Sequence, residues 1–284
     1  MAKIIALANQ KGGVGKTTSA VNIAAALGAK GKRVLLIDSD PQGNSSSGVG
    51  INKKNMNLST YDVLIKRAGA DNVIVETGYQ NLWIMPANIS LAGAEFELVS
   101  ADGRESRLRH ALAPILPRFD YILIDCPPSL GILTMNALVA ANGVIIPMQC
   151  EYYALEGLTQ LLMTIKQIKR LYNHDLEITG ILITMYNGRL NLSLQVMDEL
   201  KKYYAGKLFS TTVARSVRLS EAPGFGMPAL YFDKYSKGSQ AYLEVADEIM
   251  ERIRPRLLRI IRKSGRTNGK VCRLGRQNGV FTYG

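Results

Sequence analysis

The sequence predicts an α/β fold: a mostly parallel sheet with helices on both faces. Three observations lead there. Short apolar runs alternate with longer helical patterns, the rhythm of parallel strands joined by crossover helices. A glycine-rich turn separates the first apolar run from the first helical pattern. Acidic residues follow directly on two later apolar runs, where ligands of open α/β sheets bind.

The elements follow in order. Residues 3–8 form an apolar run expected to be a buried strand, and the alanine-rich stretch after the glycines predicts a helix over 16–29. A second strand is expected at 33–37. Residues 38–54, rich in Gly, Ser and Asn, read as a loop, and 51–80 has so little periodicity that it reads as a surface insertion. Further strands are expected at 82–85, 121–125, 144–148, 178–184 and 208–213. Helices are expected at 90–99, 104–116, 130–141, 156–171, 191–204 and 237–252. Trp83 lies within an apolar run and is expected in the core. Tyr152-Tyr153 reads as a partly buried pair at a strand end.

The length of 284 residues suits one large α/β domain or two small ones, and 47% hydrophobic residues suffice for a sizeable core. The apolar stretch after Lys3 ends at Asn9-Gln10-Lys11, too soon for a signal peptide. The stretch 137–148 is interrupted by Asn142, Gly143 and Pro147, so it does not read as a membrane span. Cys126, Cys150 and Cys272 are scattered, and His110 and His174 isolated. That pattern fits a reducing cytoplasm and argues against a disulfide framework, a zinc site or an iron–sulfur site. The net charge of +12 resembles that of a nucleic-acid binder, but it is unevenly spread. Residues 252–284 hold ten Lys/Arg and no acid, leaving 25 Lys/Arg against 23 Asp/Glu elsewhere. The division expected is therefore a domain over 1–252 and a basic extension over 253–284. In the extension, 253–263 reads as a helix with Ile253, Leu257, Ile260 and Ile261 on one face, and 264–284 as largely disordered.

Lys11-Gly12-Gly13-Val14-Gly15-Lys16-Thr17-Thr18 carries the chemistry. The ordinary phosphate loop reads G-x-x-x-x-G-K-[ST]. Here Gln10 takes the place of the first glycine, and Lys11 is an extra cation. Amides at the start of the following helix would face the phosphates. Glycine-rich turns join many strands to helices, but a bare turn does not account for two lysines, Thr17 and three glycines in seven residues. Asp38-Ser39-Asp40-Pro41-Gln42-Gly43-Asn44 and Asp125-Cys126-Pro127-Pro128-Ser129 each follow an apolar run. Either acid alone reads equally as a helix N-cap. Beside a phosphate loop, Thr17, Asp38 and Asp125 are candidates for a magnesium shell, and Asp40 for orienting the attacking water.

These segments together resemble the ParA/MinD group of deviant-Walker ATPases. The stretches 150–158 (C-E-Y-Y-A-L-E-G-L) and 217–223 (V-R-L-S-E-A-P) resemble its chromosomal ParA/Soj branch. The resemblance spans about residues 1–252 and implies a P-loop NTPase-like fold, with ATP and Mg2+ as cofactors in a cytoplasmic, nucleoid-associated ATPase. It implies a homodimer that sandwiches ATP, in which Lys11 reaches the partner's nucleotide while Lys16 holds its own. It further implies non-specific binding to double-stranded DNA through Arg189 and Arg218, and a ParB/Spo0J-like protein that stimulates hydrolysis. Arg215, Lys201, Lys202, Lys234 and Lys237 are further candidates for phosphate contacts, and Met185 and Arg215 for adenine contacts. The chain departs from the family pattern at Ala214, commonly proline, and at Gly224-Phe225. A MinD-like regulator, reaching a membrane through the amphipathic tail, is the alternative.

Overall fold

A computed structural model describes residues 2–253. The first half comprises β1 (Lys3–Leu7), α1 (Lys16–Ala29), β2 (Val34–Asp38), α2 (Asn44–Gly48), α3 (Thr60–Leu64), α4 (Ala70–Val73), β3 (Val75–Glu76), β4 (Leu82–Met85), α5 (Leu91–Glu97), α6 (Arg107–Leu112) and β5 (Tyr121–Asp125). The second comprises α7 (Ile132–Ala140), β6 (Gly143–Met148), α8 (Ala154–Leu171), β7 (Glu177–Ile183), α9 (Asn191–Tyr204), α10 (Val217–Glu221), α11 (Ala229–Phe232) and α12 (Lys237–Ile253). The seven strands lie in the order β3-β4-β2-β5-β1-β6-β7. All neighbours pair parallel except β3, which is antiparallel to β4 at the edge.

The central strands are apolar without a break because both sheet faces are covered. Ile4, Ala6, Leu35, Ile37, Ile122, Ile124, Val144 and Ile146 join the core beneath α3, α6, α7 and α8. Their sequence neighbours Ile5, Leu7, Val34, Leu36, Leu123 and Ile145 join the core beneath α1 and α12. Small side chains let α1 lie close: Ala20, Ala24 and Ala25 are fully buried. Ser19 on α1 hydrogen-bonds Tyr242 of α12 at 3.0 Å, so α12 braces α1. Helix α8 instead buries one stripe, Leu158, Leu161, Ile165 and Ile168, at helical spacing.

Five expectations need correction. Residues 51–80 are not a surface insertion. Helices α3 and α4 place Val63, Leu64, Ala70 and Val73 in the core, and Ser59 with Asp62 closes a capping box on α3. With only five and four residues, these helices are too short to show a periodic pattern. The helix expected at 104–116 is α6 between two 3-10 turns, because Pro114 and Pro117 have no amide to donate. Tyr152 and Tyr153 are 75% and 69% exposed, not partly buried. Trp83 is partly buried against the core, edge-on to Phe119, as expected. The loop expected at 38–54 contains α2 and one 3-10 turn.

Residues 208–213 are not a strand either. They run beside β7 but form only isolated bridges. Phe209 and Val213 donate to β7, but the Thr211 amide between them, which a ladder would use, donates instead to the Glu248 carboxylate on α12 at 2.7 Å, as the Ser210 amide does at 2.9 Å. Arg252 holds the same segment. Its guanidinium donates to the carbonyls of Thr179 (3.0 Å), Lys207 (3.4 Å) and Leu208, and lies 4.4 Å from the Phe209 ring centre. Arg252, which begins the cation-rich stretch in the sequence, thus belongs to the folded body. The expectations for 254–284 lie outside the described residues. Among the described residues no helix is long and apolar enough to cross a membrane.

Arg252→Ala takes a charged donor from three carbonyls, of which Lys207 keeps the Ile181 amide, and uncovers Phe209, so it should cost about 2–3 kcal/mol of stability in urea unfolding. A chain ending at Glu251 should therefore unfold earlier than one ending at Ile253.

Candidate nucleotide-binding site

The site lies where β1, β2, β5, β6 and β7 end. The loop after β1 turns through Gly13 (φ 74°) and Gly15 (φ 82°), left-handed conformations that a Cβ would strain. Gly15 accepts the first bond of α1, from the Ser19 amide at 2.9 Å. The loop is held from outside. Asn9 accepts from the Lys11 amide at 3.0 Å while donating to the Pro147 carbonyl at 2.8 Å. Thr184, directly after β7, donates to the Val14 carbonyl at 2.8 Å, and Gln149, directly after β6, to the Gly13 carbonyl at 2.9 Å.

The two loop lysines point different ways. Lys16 is 6% exposed and folds under the loop, its ammonium donating to the Lys11 carbonyl at 3.0 Å. Burial lowers its pKa, against the attraction of Asp125, Cys126 and Asp40. The ammonium of Lys11 is at the surface, in an ion pair with Glu151.

Asp38 and Asp125 end adjacent strands in direct register, and both are fully buried. Burial raises both carboxyls: Asp38 to about 7, with the Asp125 charge adding to the rise, and Asp125 to about 6, with Asp40 adding to it. The hydroxyls of Ser45 and Thr17, and then Lys16, pull Asp125 back only in part. Asp38 spends its oxygens on the protein. One accepts from the Ser46 amide (2.8 Å) and hydroxyl (2.7 Å), the other from the Asp40 amide (3.3 Å). It shapes the loop that carries Asp40. Asp125 accepts from Ser45 at 2.8 Å with one oxygen, while the other is buried without a hydrogen-bond partner among the described residues. Asp40 is 7% exposed, and one of its oxygens accepts from the Gln42 amide at 2.9 Å.

The orphaned Asp125 oxygen beside Thr17 fits a hard cation. No three His, Cys, Asp or Glu side chains among the described residues are arranged to enclose a metal. A magnesium ion here would therefore complete its shell with phosphate oxygens and water, as it usually does. On the other side of the loop a cavity of about 510 Å3 is lined by Gly15, Thr18, Met185, Arg215 and Tyr242, among others. Met185 holds a left-handed φ of 50°, and its sulfur is 3.8 Å from the Arg215 guanidinium. A cavity of about 480 Å3 at the opposite end of the sheet, beside Lys3 and Asn142, has no phosphate loop and neither buried aspartate.

The expected loop residues, Thr17, Asp40, Asp125, Met185 and Arg215 thus come together, with Asp38 one layer behind. Arg189 and Arg218 are exposed. Arg218 is engaged by Glu221 (2.9 Å) and Asp233 (3.3 Å). Sequence reasoning missed Ser45, Ser46, Gln149 and Thr184. Gln149 and Thr184 are signalled by position alone, as polar residues just past an apolar run, and Ser45 and Ser46, inside α2, by nothing.

A family model described as an AAA domain matches residues 2–178. The sporulation initiation inhibitor protein Soj of Bacillus subtilis is 53% identical over 249 residues, 88% of this chain and 98% of that protein. The chromosome partitioning protein ParA of Myxococcus xanthus is 49% identical, covering 89% of this chain and 90% of its own. Among solved structures, cobyrinic acid a,c-diamide synthase from Mycobacterium smegmatis, with bound ATP analog and magnesium, superposes with a TM-score of 0.77 at 38% identity. The match covers 93% of this chain and 97% of that one.

The raised Asp125 pKa has a stability consequence. A carboxyl that titrates near 3.8 unfolded and about 6 folded binds more protons when folded. Its contribution is present below the unfolded value and lost as pH rises through the folded one. In the metal-free chain, Asp125→Asn should therefore gain in thermal midpoint on the wild type between about pH 4 and about pH 7 and hold a constant lead above that. A constant difference across that range would contradict the assignment.

Proposed function

The chain belongs to the Soj/ParA family of P-loop partitioning ATPases, and we propose that it works as an ATP-dependent DNA-segregation ATPase. The observation that carries the reading is the division of labour between the loop lysines. Lys16, folded under the loop, neutralises the phosphates of its own subunit's ATP. Lys11, at the surface, reaches the nucleotide of a second copy. A cation supplied across an interface stabilises charge on the transferred phosphoryl group and makes ATP part of the dimer. Hydrolysis then weakens the dimer, which is a nucleotide switch.

Thr17 and Asp125 would hold magnesium, which supplies neutralisation of the phosphate charge when bound. The amides of Gly12 to Thr18 cradle phosphate oxygens. The cavity beside Met185 and Arg215 takes the base. Asp40 orients the attacking water, and Asp38 fixes the loop on which Asp40 stands. Ser45, bonded to Asp125, joins the loops after β2 and β5, so both respond together to the phosphate.

The dimer would bind duplex DNA without sequence preference through exposed cations, Arg189 foremost, and a ParB/Spo0J-like protein would trigger release by stimulating hydrolysis. The discriminating experiment is ATP-dependent binding to random duplex DNA against anionic liposomes. Retention on DNA with ATP but not ADP supports the reading, whereas retention on liposomes alone would favour a MinD-like membrane role.

Lys11→Ala should still bind ATP but fail to dimerise with it, and Asp40→Ala should dimerise yet hydrolyse slowly in single turnover. A Lys11→Ala chain that dimerises normally, or wild-type turnover by Asp40→Ala, would remove the corresponding role. Arg189→Ala should lower the slope of log affinity against log salt by about one for every DNA sequence alike. Arg218→Ala should lower it less, because two carboxylates already engage that charge. Binding titrations at several salt concentrations decide both.

A further inference from the structure

The segment from the end of β6 into α8 touches the phosphate loop three times. Gln149 donates to the Gly13 carbonyl at 2.9 Å, and Gln10 donates to Gln160 at 2.6 Å. The third contact is the ion pair of Glu151 with Lys11. The first two fix the course of the loop, whereas the third engages the charge that the proposed function sends to a second subunit. The Lys11 and Glu151 side chains are 42% and 47% exposed, so the pair forms at the surface, where either group can leave.

We propose that Glu151 is a positioning residue that competes in cis for Lys11 and sets a threshold on ATP-dependent dimerisation. The proposal rests on the cross-interface role of Lys11 given above. In the separate subunit the ammonium is neutralised by its own chain. To stabilise the phosphates of a second copy it must leave a carboxylate, so the dimer forms only when the phosphate charge outbids that carboxylate. A γ-phosphate adds negative charge that ADP lacks, which sharpens the discrimination between the two nucleotides.

The size of the effect is bounded. An exposed ion pair biases an equilibrium by at most about fivefold. In a two-fold symmetric dimer both subunits release their lysine, so the bias multiplies to at most about 25-fold.

The test is Glu151→Gln, which keeps the size and removes the charge, in sedimentation equilibrium with ATP. Its dimer dissociation constant should fall by about fivefold to 25-fold relative to wild type. The gain should shrink as salt is raised, because screening already loosens the ion pair of the wild type, a readout that a merely structural role would not produce. A thermal melt checks folding. If Glu151→Gln melts early, Glu151→Asp, which withdraws the carboxylate by one methylene, should tighten the dimer in the same direction. A dimer of unchanged or weaker affinity in the folded variant overturns the proposal. If Lys11→Ala alone dimerises like wild type, the cross-interface reading falls and the competition with it. If Lys11→Ala blocks dimerisation while neither Glu151 variant tightens it, only the competition falls.

Discussion

Two carboxylates buried side by side at the ends of neighbouring strands are the constraint around which the site is built. Asp38 and Asp125 face each other in register, and neither reaches solvent. Charged and unpaired, such groups would cost several kcal/mol each. The surroundings divide the problem. Asp38 is satisfied by Ser46 and the Asp40 amide, and so becomes the pivot of its loop. Asp125 is met by Ser45 and has Thr17 and Lys16 close by, but one oxygen stays unpartnered. The fold thus keeps one carboxylate for architecture and leaves the other hungry for a cation.

Much of this was legible in the sequence because each signal had a local cause. The unbroken apolar runs report burial on both faces, and six of the seven strands expected are present, with ends shifted by a residue or so. The phosphate loop is legible because left-handed backbone needs glycine, and because strand and helix flank it. What failed were features decided by distant partners. Residues 208–213 have strand composition, but Glu248 on α12 takes two of their amides. The short helices α3 and α4 are fixed by the core they complete, not by their own periodicity. The roles of Ser46, Gln149 and Thr184 are set across the strand ends, and a polar residue in a loop gives no hint of its partner.

The family's general chemistry and what distinguishes this chain lie in different parts of the molecule. Phosphate binding is a matter of loop backbone and helix start, and the chain resembles proteins as different as a chromosome partitioning protein and a cobyrinic acid a,c-diamide synthase. What a P-loop protein acts upon is decided on its exposed surfaces. Here those surfaces carry Arg189, Lys201 and Lys202 beside the apolar Leu190 and Leu194, while Lys16, Asp38, Asp40 and Asp125 lie beneath.

The position of β1 has a consequence for how the chain is made. The first strand to leave the ribosome lies between β5 and β6, whose residues come more than a hundred positions later. At about 5–20 residues per second, roughly ten seconds pass before either neighbour exists. Throughout that interval an apolar strand and the alanine-rich helix after it have no sheet to join. Among the described elements α12, which braces α1 through Tyr242, arrives last. The nucleotide pocket is consequently a late product of vectorial synthesis: a nascent chain carries the complete phosphate-loop sequence long before it can grip a nucleotide.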